Sequence, residues 1–589
     1  MRAATAAATS TAFAIGACAS TAQMPPKRVV VTVPKTVAPP TPATLVVRTA
    51  SGEPAPWAVF EVYRAGTQEG QAFLRGDASG HVALTLPPGD YDAHVTAPNG
   101  FARKQLLRVR EGSSVSVTLD ETCKRTSGTA AGDIEPGEYV WFLGNMAEVG
   151  STVRFYGAVV QPDATFAACV PVGSYAVEAH DDEVAPAFNF DSGDDVLFEA
   201  YEPARTDAPA PAIDSVPFAR SIDALLEPSV RVIGLGEANH GSHSFLAIRA
   251  RESLRLARLA GVRTIALEAG PAEVFPLDDY VQGRLPDATT AVSKLGYWMW
   301  DTKDMLAVLA EIRAYNKKAR PDARVTLVGV DVQSSDRAAT YVLASSVKLT
   351  DSQRTALEGA ATWTSLASGS PDAAAFAREI DALVQSTEAE ALPLRTMLAL
   401  RQVQWRLRMH AARGRTAQKQ RDLGMAAITE ALLARRDQGR IVIWAHNNHI
   451  ATDPLSEVQP LGSHLRKRLG DGYLAVGLLM ARGTFRAWDY ESKVGVIEHT
   501  ISEPAAATIE AALAPHLATP DGFVRLDDLT ALKTWLSVPH RASENGGAMV
   551  WKNRLVLIRP RASFDIVGLV ANSTPTTPTP TGVRVAPTQ

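Results

Sequence analysis

Val232-Ile233-Gly234-Leu235-Gly236-Glu237-Ala238-Asn239-His240-Gly241-Ser242-His243 is the stretch from which the rest of this chain is read. Its first four residues make a short apolar run of the length of a buried strand. The glycines that follow permit a tight turn out of that strand. A helix is expected from about Ser242, carrying Arg249 and Glu252, so the segment reads as one strand–turn–helix unit. Glu237 and His240 share the turn. A carboxylate beside an imidazole is what a general base needs, because the carboxylate fixes the tautomer and supports the imidazolium. The segment lacks the three spaced glycines of a dinucleotide fingerprint, and no Gly-Lys-Ser/Thr follows to form a phosphate loop.

Four more apolar runs read as buried strands: Thr264–Leu267, Val325–Val330, Ile441–Trp444 and Leu474–Leu479. Each gives way to polar residues at its C-terminal side. Glu268 follows the second strand, Asp331 and Gln333 the third, His446 and His449 the fourth, and Arg482 the fifth. In open parallel α/β sheets, ligands bind outside the carboxyl ends of the strands. Acids, imidazoles and an arginine delivered to one edge therefore outweigh any single motif. The fold expected over 217–571 is an α/β domain with a central, mainly parallel sheet and a helical insertion at about 350–440. Arg249 either returns to the site or pairs with Glu252 on its own helix.

Upstream the texture differs. Met1–Cys18 has a basic Arg2, an Ala-rich stretch and no acid, which reads as an export signal. Ile15-Gly16-Ala17-Cys18 resembles a lipobox, so Cys18 is expected to carry lipid and to hold the protein in the periplasm or cell envelope. An ordinary cleavage site near Ala17 or Ala22 is the alternative. Residues 19–42 form a Pro-rich linker. Residues 43–121 and 122–204 break into short strands between Gly, Pro and Asp turns, as in β-sandwich modules. Asp77-Ala78-Ser79 before Pro88-Gly89-Asp90-Tyr91 is echoed by Asp163-Ala164-Thr165 before Val172-Gly173-Ser174-Tyr175, so the second unit reads as a diverged copy. The shared P-x-G-x-Y turn resembles carboxypeptidase regulatory-like modules. With Cys18 acylated, Cys123 and Cys169 remain in one β unit, where an oxidising compartment favours a disulfide; two unrelated buried thiols are the alternative. A second linker spans 205–216, and the Thr/Pro-rich tail 572–589 reads as disordered.

Composition narrows the function. The 589 residues suffice for three or four domains. A net charge of −4 removes the electrostatic reason to expect nucleic acid as a partner. Three cysteines are too few for a Cys-rich zinc module or an iron–sulfur site.

Gly236-Glu237-x-x-His240-Gly241, Arg249, Ala266-Leu267-Glu268-Ala269, Leu295–Thr302, Gly329–Gln333, Arg421–Ala426, Trp444–His449 and Ser563-Phe564-Asp565 occur in an order that resembles the erythromycin esterase family. The resemblance covers roughly 217–571. It implies hydrolysis of a small-molecule ester or lactone without metal or cofactor. It also implies His240 as the base that activates water, Glu237 and Glu268 as essential acids, and Arg249, His446 and His449 as further functional positions. Asn239 departs from the Thr usual beside the histidine, and His243 is an extra imidazole read as a local structural residue. No G-x-S-x-G elbow is present, so no acyl-enzyme is expected. Two other readings use the same cleft. One is a metallohydrolase with His240, His446, His449 and Glu268 around a divalent ion; the other is a non-enzymatic envelope module that binds haem, a glycan or another envelope protein.

Overall fold

The computed structural model describes residues 209–579, apart from 294, 363–370, 387–391, 413–414, 436–438, 454–458, 490–495, 544–547 and 550–555, and upstream the strands and turns within 41–200. Cys18, Cys123 and residues 19–40 of the Pro-rich linker lie outside the described residues, and the linker's last two residues, Thr41 and Pro42, already belong to a strand.

Parallel strands buried on both faces need nearly continuous apolar sequence, and the central sheet is built from such runs. Its strands are β1 Val232–Leu235, β2 Val262–Leu267, β3 Thr326–Gly329, β4 Arg440–Trp444, β5 Tyr473–Met480, β6 Asp521–Arg525 and β7 Ile566–Val570, in the order β3-β2-β4-β1-β5-β7-β6. Six run parallel, and only edge strand β6 is antiparallel to its neighbour β7. The sheet thus has two strands more than the five apolar runs suggested. Register fixes the site. Leu235 of β1 and Leu267 of β2 both pair with Trp444 of β4. The three strands therefore end level, and the loops carrying Glu237, Glu268 and His446 leave from one line. Between β1 and β4, chain order reverses direction across the sheet, the place where α/β sheets open a crevice.

Helix α1, His243–Leu259, follows β1, and its N-cap Ser242 accepts a bond from the Phe245 amide at 3.2 Å. Helix α2, Lys303–Lys318, precedes β3. The segment between β3 and β4 carries five helices among its described residues: Asp336–Leu343, Asp351–Ala361, Pro371–Ser386, Leu394–Ala411 and α3, Arg415–Ala434. Among the described residues no helix is long and apolar enough to cross a membrane.

The N-terminal part contains two strand sets of one topology. In the first, Thr41–Thr49 lies between antiparallel His81–Leu86 and parallel Ser114–Leu119; in the second, Lys124–Gly132 lies between antiparallel Thr165–Val170 and parallel Asp195–Ala200. Each set is completed by a four-stranded sheet of the same order, Gly70–Arg75, Val59–Arg64, Gly89–Ala97, Gly100–Val109 and Arg154–Val159, Tyr139–Gly144, Ser174–Ala179, Asn189–Asp191. Equivalent turns are built on equivalent aspartates, since Asp77 accepts from the Ser79 amide at 2.8 Å and Asp163 from the Thr165 amide at 3.0 Å. The two sheets of the first set share one core, from Leu45, Val47 and Val117 to Phe60, Tyr91 and Leu107. Part of each P-x-G-x-Y turn (87 and 171–173) falls outside the described residues. Cys169 is buried and disulfide-bonded.

The tail departs from expectation. Residues 572–579 are not loose chain but a strap bound along the α/β domain. Ser573, Thr576 and Thr579 are buried to 2%, 3% and 1% exposure. A period of three is that of a polyproline II chain, which has no internal hydrogen bonds and leaves its amides for other partners.

Candidate active site

Close packing shapes the turn after β1. A side chain on Gly236 would place Cβ 2.0 Å from Oδ1 of Asn447, and one on Gly241 would meet the Arg486 carbonyl at 1.9 Å. Neither glycine has positive φ. They are required here for close approach of neighbouring chain. The space over Gly236 is taken by Asn447, whose side chain bonds the Leu478 carbonyl at 3.0 Å and amide at 3.1 Å, while its own amide donates to the Glu237 carbonyl at 2.9 Å. The loops after β1 and β4 are thereby stitched to β5.

On this turn His240 Nδ1 lies 2.8 Å from Glu237 Oε1, and the other Glu237 oxygen pairs with Arg249 Nη2 at 2.7 Å. Arg249, 1% exposed, turns back to the site rather than to Glu252. Its guanidinium sits between Trp300 and Trp444, 5.6 and 5.4 Å from their ring centres. Trp444 is fixed by a 2.9 Å bond from Nε1 to Ser253. Glu252 instead accepts from the Ile222 amide at 2.9 Å and from Arg251 at 2.9 Å. The result is a buried line Arg249–Glu237–His240 whose last member is 12% exposed. No described residue bonds Nε2 of His240. With Nδ1–H donated to Glu237, the Nε2 lone pair is left for water.

A second network lies across β2, β3 and α3. Glu268 accepts from the His446 amide at 2.8 Å and from Arg421 Nη2 at 2.9 Å, with His449 Nε2 at 3.3 Å. Arg421 also grips both oxygens of Asp331, at 3.0 and 2.8 Å. Asp422 meets His449 Nδ1 at 2.7 Å and the Leu461 amide at 2.9 Å. Three carboxylates thus surround two cations. Burial works against the charge on Glu268, but the neighbouring His449, His240 and Arg421 hold its carboxyl well below the usual range. Burial likewise opposes charge on His449, yet Asp422 and Glu268 raise it to about 10, so it remains an imidazolium. Arg421, though desolvated, is held protonated by Asp331 and Glu268.

His446 is different. Its Nε2 donates to the Ala238 carbonyl at 3.1 Å, and Nδ1 accepts from the Asn448 amide at 3.2 Å, capping the short helix Asn447–Ile450. Burial, with His240 nearby (ring centres 5.4 Å apart), pulls it down to about 3. It is a neutral residue that joins two loops.

The six side chains singled out in the sequence therefore share one strand edge, but they divide into three kinds. Glu237, His240 and Arg249 form the acid–base line. Glu268 and His449 belong to the charge network. His446 is committed to backbone on both nitrogens. Expecting His240, His446, His449 and Glu268 to converge on a metal does not fit this geometry, because both nitrogens of His446 are committed to backbone and Nδ1 of His449 to Asp422. Among the described residues no group of three His, Cys, Asp or Glu side chains is arranged to hold a metal ion. Arg482, placed at this edge by the sequence, is 56% exposed, with Glu503 4.0 Å away, and takes no part. His243 pairs with Asp304 at 2.6 Å on the surface. The sequence places Asp331 at this edge without a role, and gives no role to Arg421 and Asp422. The polar end of the third strand and the adjacent Arg-Asp pair were the signals available.

A histidine–carboxylate line at the carboxyl edge of a parallel sheet defines an α/β enzyme with acid–base machinery. The comparisons make the class specific. The erythromycin esterase family model matches residues 258–572, more than half of the chain. The chain belongs to the erythromycin esterase family, and by membership is a hydrolase acting on a small molecule. The match takes in Glu268, His446 and His449, whereas Glu237, His240 and Arg249 lie upstream of it. A Bacillus cereus protein of known structure is similar to this chain at 18% identity and TM-score 0.52, covering 63% of this chain and 97% of that one. A succinoglycan biosynthesis protein is similar at 17% identity and TM-score 0.52, covering 60% and 92%. These two share the fold. An erythromycin esterase mutant, EreC, in its open conformation aligns at 17% identity and TM-score 0.43, over 60% and 94%.

Proposed function

We propose that the protein hydrolyses a carboxylic ester or lactone by direct attack of water, with His240 as the base. One observation carries this reading: His240 Nδ1 is fixed on Glu237 while Nε2 has no partner among the described residues. Water bound at Nε2 gives up a proton as its oxygen attacks the acyl carbon. The imidazolium so formed is supported by Glu237, whose other oxygen is paired with Arg249. Collapse of the tetrahedral intermediate returns the proton to the leaving alkoxide, and acid and alcohol depart. The oxyanion develops beside a site that already holds the His449 imidazolium. A fixed cation in a water-poor site favours that charge without reorganising. Arg249, enclosed by two tryptophans, acts through Glu237 and does not reach the oxyanion. Neither a metal nor a covalent acyl-enzyme enters the scheme.

The site is placed in the cell envelope, with Cys18 acylated and the two N-terminal β units, read as sandwich-like modules, acting as spacers. N-terminal mass analysis of membrane-extracted protein tests this, and an unmodified start downstream of Cys18 rejects it. The chemical reading is tested by a screen of esters and lactones, macrolides included, with His240→Ala alongside. Hydrolysis retained in the variant rejects it.

A further inference from the structure

The family match ends at residue 572, yet the next seven residues are bound to the domain, with Ser573, Thr576 and Thr579 buried. Ser573-Thr574-Pro575-Thr576-Thr577-Pro578-Thr579 donates every amide it has. Ser573 N–H reaches the Arg482 carbonyl at 2.8 Å, Thr574 N–H Ser244 Oγ at 3.1 Å, Thr576 N–H the Gly241 carbonyl at 2.9 Å, Thr577 N–H Asp304 Oδ2 at 2.6 Å and Thr579 N–H the Asp301 carbonyl at 3.1 Å. The prolines fall at the two positions where no donor is used. In the other direction, Thr484, His243 and Lys303 amides donate to the carbonyls of Ser573, Thr574 and Thr577 at 3.0, 2.8 and 2.7 Å. Ser242 Oγ and Ser573 Oγ are 2.7 Å apart.

These contacts fall on the residues directly after His240. The Gly241 carbonyl takes two amides, Arg486 at 3.1 Å from one side and Thr576 at 2.9 Å from the other. With both lone pairs used, and Gly241 pressed on the Arg486 backbone, the Gly241–Ser242 peptide, one residue beyond His240, is held from both sides. The far half of the strap holds Asp301 and Thr302–Asp304, beside Trp300, which covers Arg249. One segment therefore ties the His240 turn to the loop that walls the Glu237–Arg249 pair.

We propose that the 573–579 strap is a positioning element for His240, and that Thr576, through its amide on Gly241, is the residue that does the positioning. This rests on the ester-hydrolysis reading for its rate consequence, but not for its effect on His240. The strap supplies no group to the reaction. It sets where the imidazole stands relative to a bound acyl carbon, and misplacement by about 1 Å costs on the order of 10²-fold in rate.

The test uses the full chain and four changes: a stop after residue 579, a stop after 572, Thr576→Pro and Thr576→Ser. Proline suits an extended chain of this period and removes only the amide donor and the hydroxyl. Serine keeps both. Hydrolysis of p-nitrophenyl butyrate is measured with pH, giving kcat and KM separately, and melting is followed in parallel. Diethyl pyrocarbonate labelling of His240 with pH, resolved by mass spectrometry, reports on the imidazole without any substrate. The stop after 579 and Thr576→Ser are expected to stay within about twofold of wild type. The stop after 572 and Thr576→Pro are expected to lower kcat by about 10- to 10²-fold, with KM little changed. Both are also expected to alter the labelling profile. If wild type hydrolyses no ester, the functional reading fails and the labelling arm still decides the strap. Unchanged kcat and unchanged labelling in Thr576→Pro overturn the proposal, and so does a loss in the 572 stop that merely follows unfolding while Thr576→Pro keeps full rate.

Discussion

Glu268→Gln keeps the shape of a side chain and removes its charge at the centre of the site. Both carboxylate oxygens are acceptors: one takes the His446 amide at 2.8 Å, the other Arg421 at 2.9 Å with His449 at 3.3 Å. A glutamine has a single acceptor oxygen. If it faces Arg421 and His449, its NH₂ is thrust at the His446 N–H; if it is turned round, the NH₂ faces two cations. A buried donor left unmet costs about 1–3 kcal/mol, and removing one partner of a buried ion pair about 3–5 kcal/mol. Asp331 and Asp422 still serve Arg421 and His449, so the lower end applies, about 3 kcal/mol. At roughly 2–4 °C per kcal/mol, melting should fall by about 6–12 °C. Activity should fall further than stability, by about 10²-fold or more, because the loop carrying His446 packs on His240 and loses its anchor. Differential scanning fluorimetry and ester hydrolysis on the same preparation measure both. A Glu268→Gln variant with wild-type melting and wild-type kcat would refute the claim that this carboxylate holds the two halves of the site together.

The other expectations concern the individual histidines and the exclusion of metal. His240→Ala should lose about 10²–10⁴-fold in rate while melting changes little, since His240 stands on a turn at the strand edge rather than in the apolar core; comparing kcat with the melting curve separates the two effects. His446, pulled down to about 3, makes stability decline as pH falls from about 6.5 towards 3, because only the unfolded chain then takes the proton. His449, raised to about 10, contributes stability that is full below about 6.5 and is lost as pH rises through 10. Melting followed against pH should show both limbs, with His446→Gln making the acid one shallower, His410 being pulled down to about 3 as well, and His449→Gln making the alkaline one shallower. Exhaustive chelation should leave the rate unchanged, and zinc-dependent recovery after chelation would contradict the committed nitrogens of His446 and His449.

What the sequence made legible follows from how local each feature is. Runs such as Ile441–Trp444 read as strands because both faces of a parallel strand are buried. Strand β6, Asp521–Arg525, could not be read that way, since an edge strand begins and ends in charge. Glu237 and His240 are legible as a pair because they stand three positions apart on one turn. The choice of Arg249 between Glu237 and Glu252 depends on which face of α1 meets the sheet, which no short window contains. Arg421 lies 153 positions from Glu268, and only the helical insertion folding back over β2 and β3 brings them together. The strap was misread because Thr/Pro composition signals disorder, whereas its period of three was the informative feature. Both strand sets were legible upstream as a repeat, because their turns reuse the same aspartate.

The most direct measurement is kcat/KM against pH for wild type and His240→Ala, on the best ester or lactone found in the screen and in the presence of chelator. The expected result is a wild-type rate that rises as the base loses its proton, and a variant that is lower by about 10²–10⁴-fold with that rise gone. A variant with the wild-type rate and the same pH dependence would show that another group activates the water, and that the Glu237–His240 line is not the acid–base device of this site.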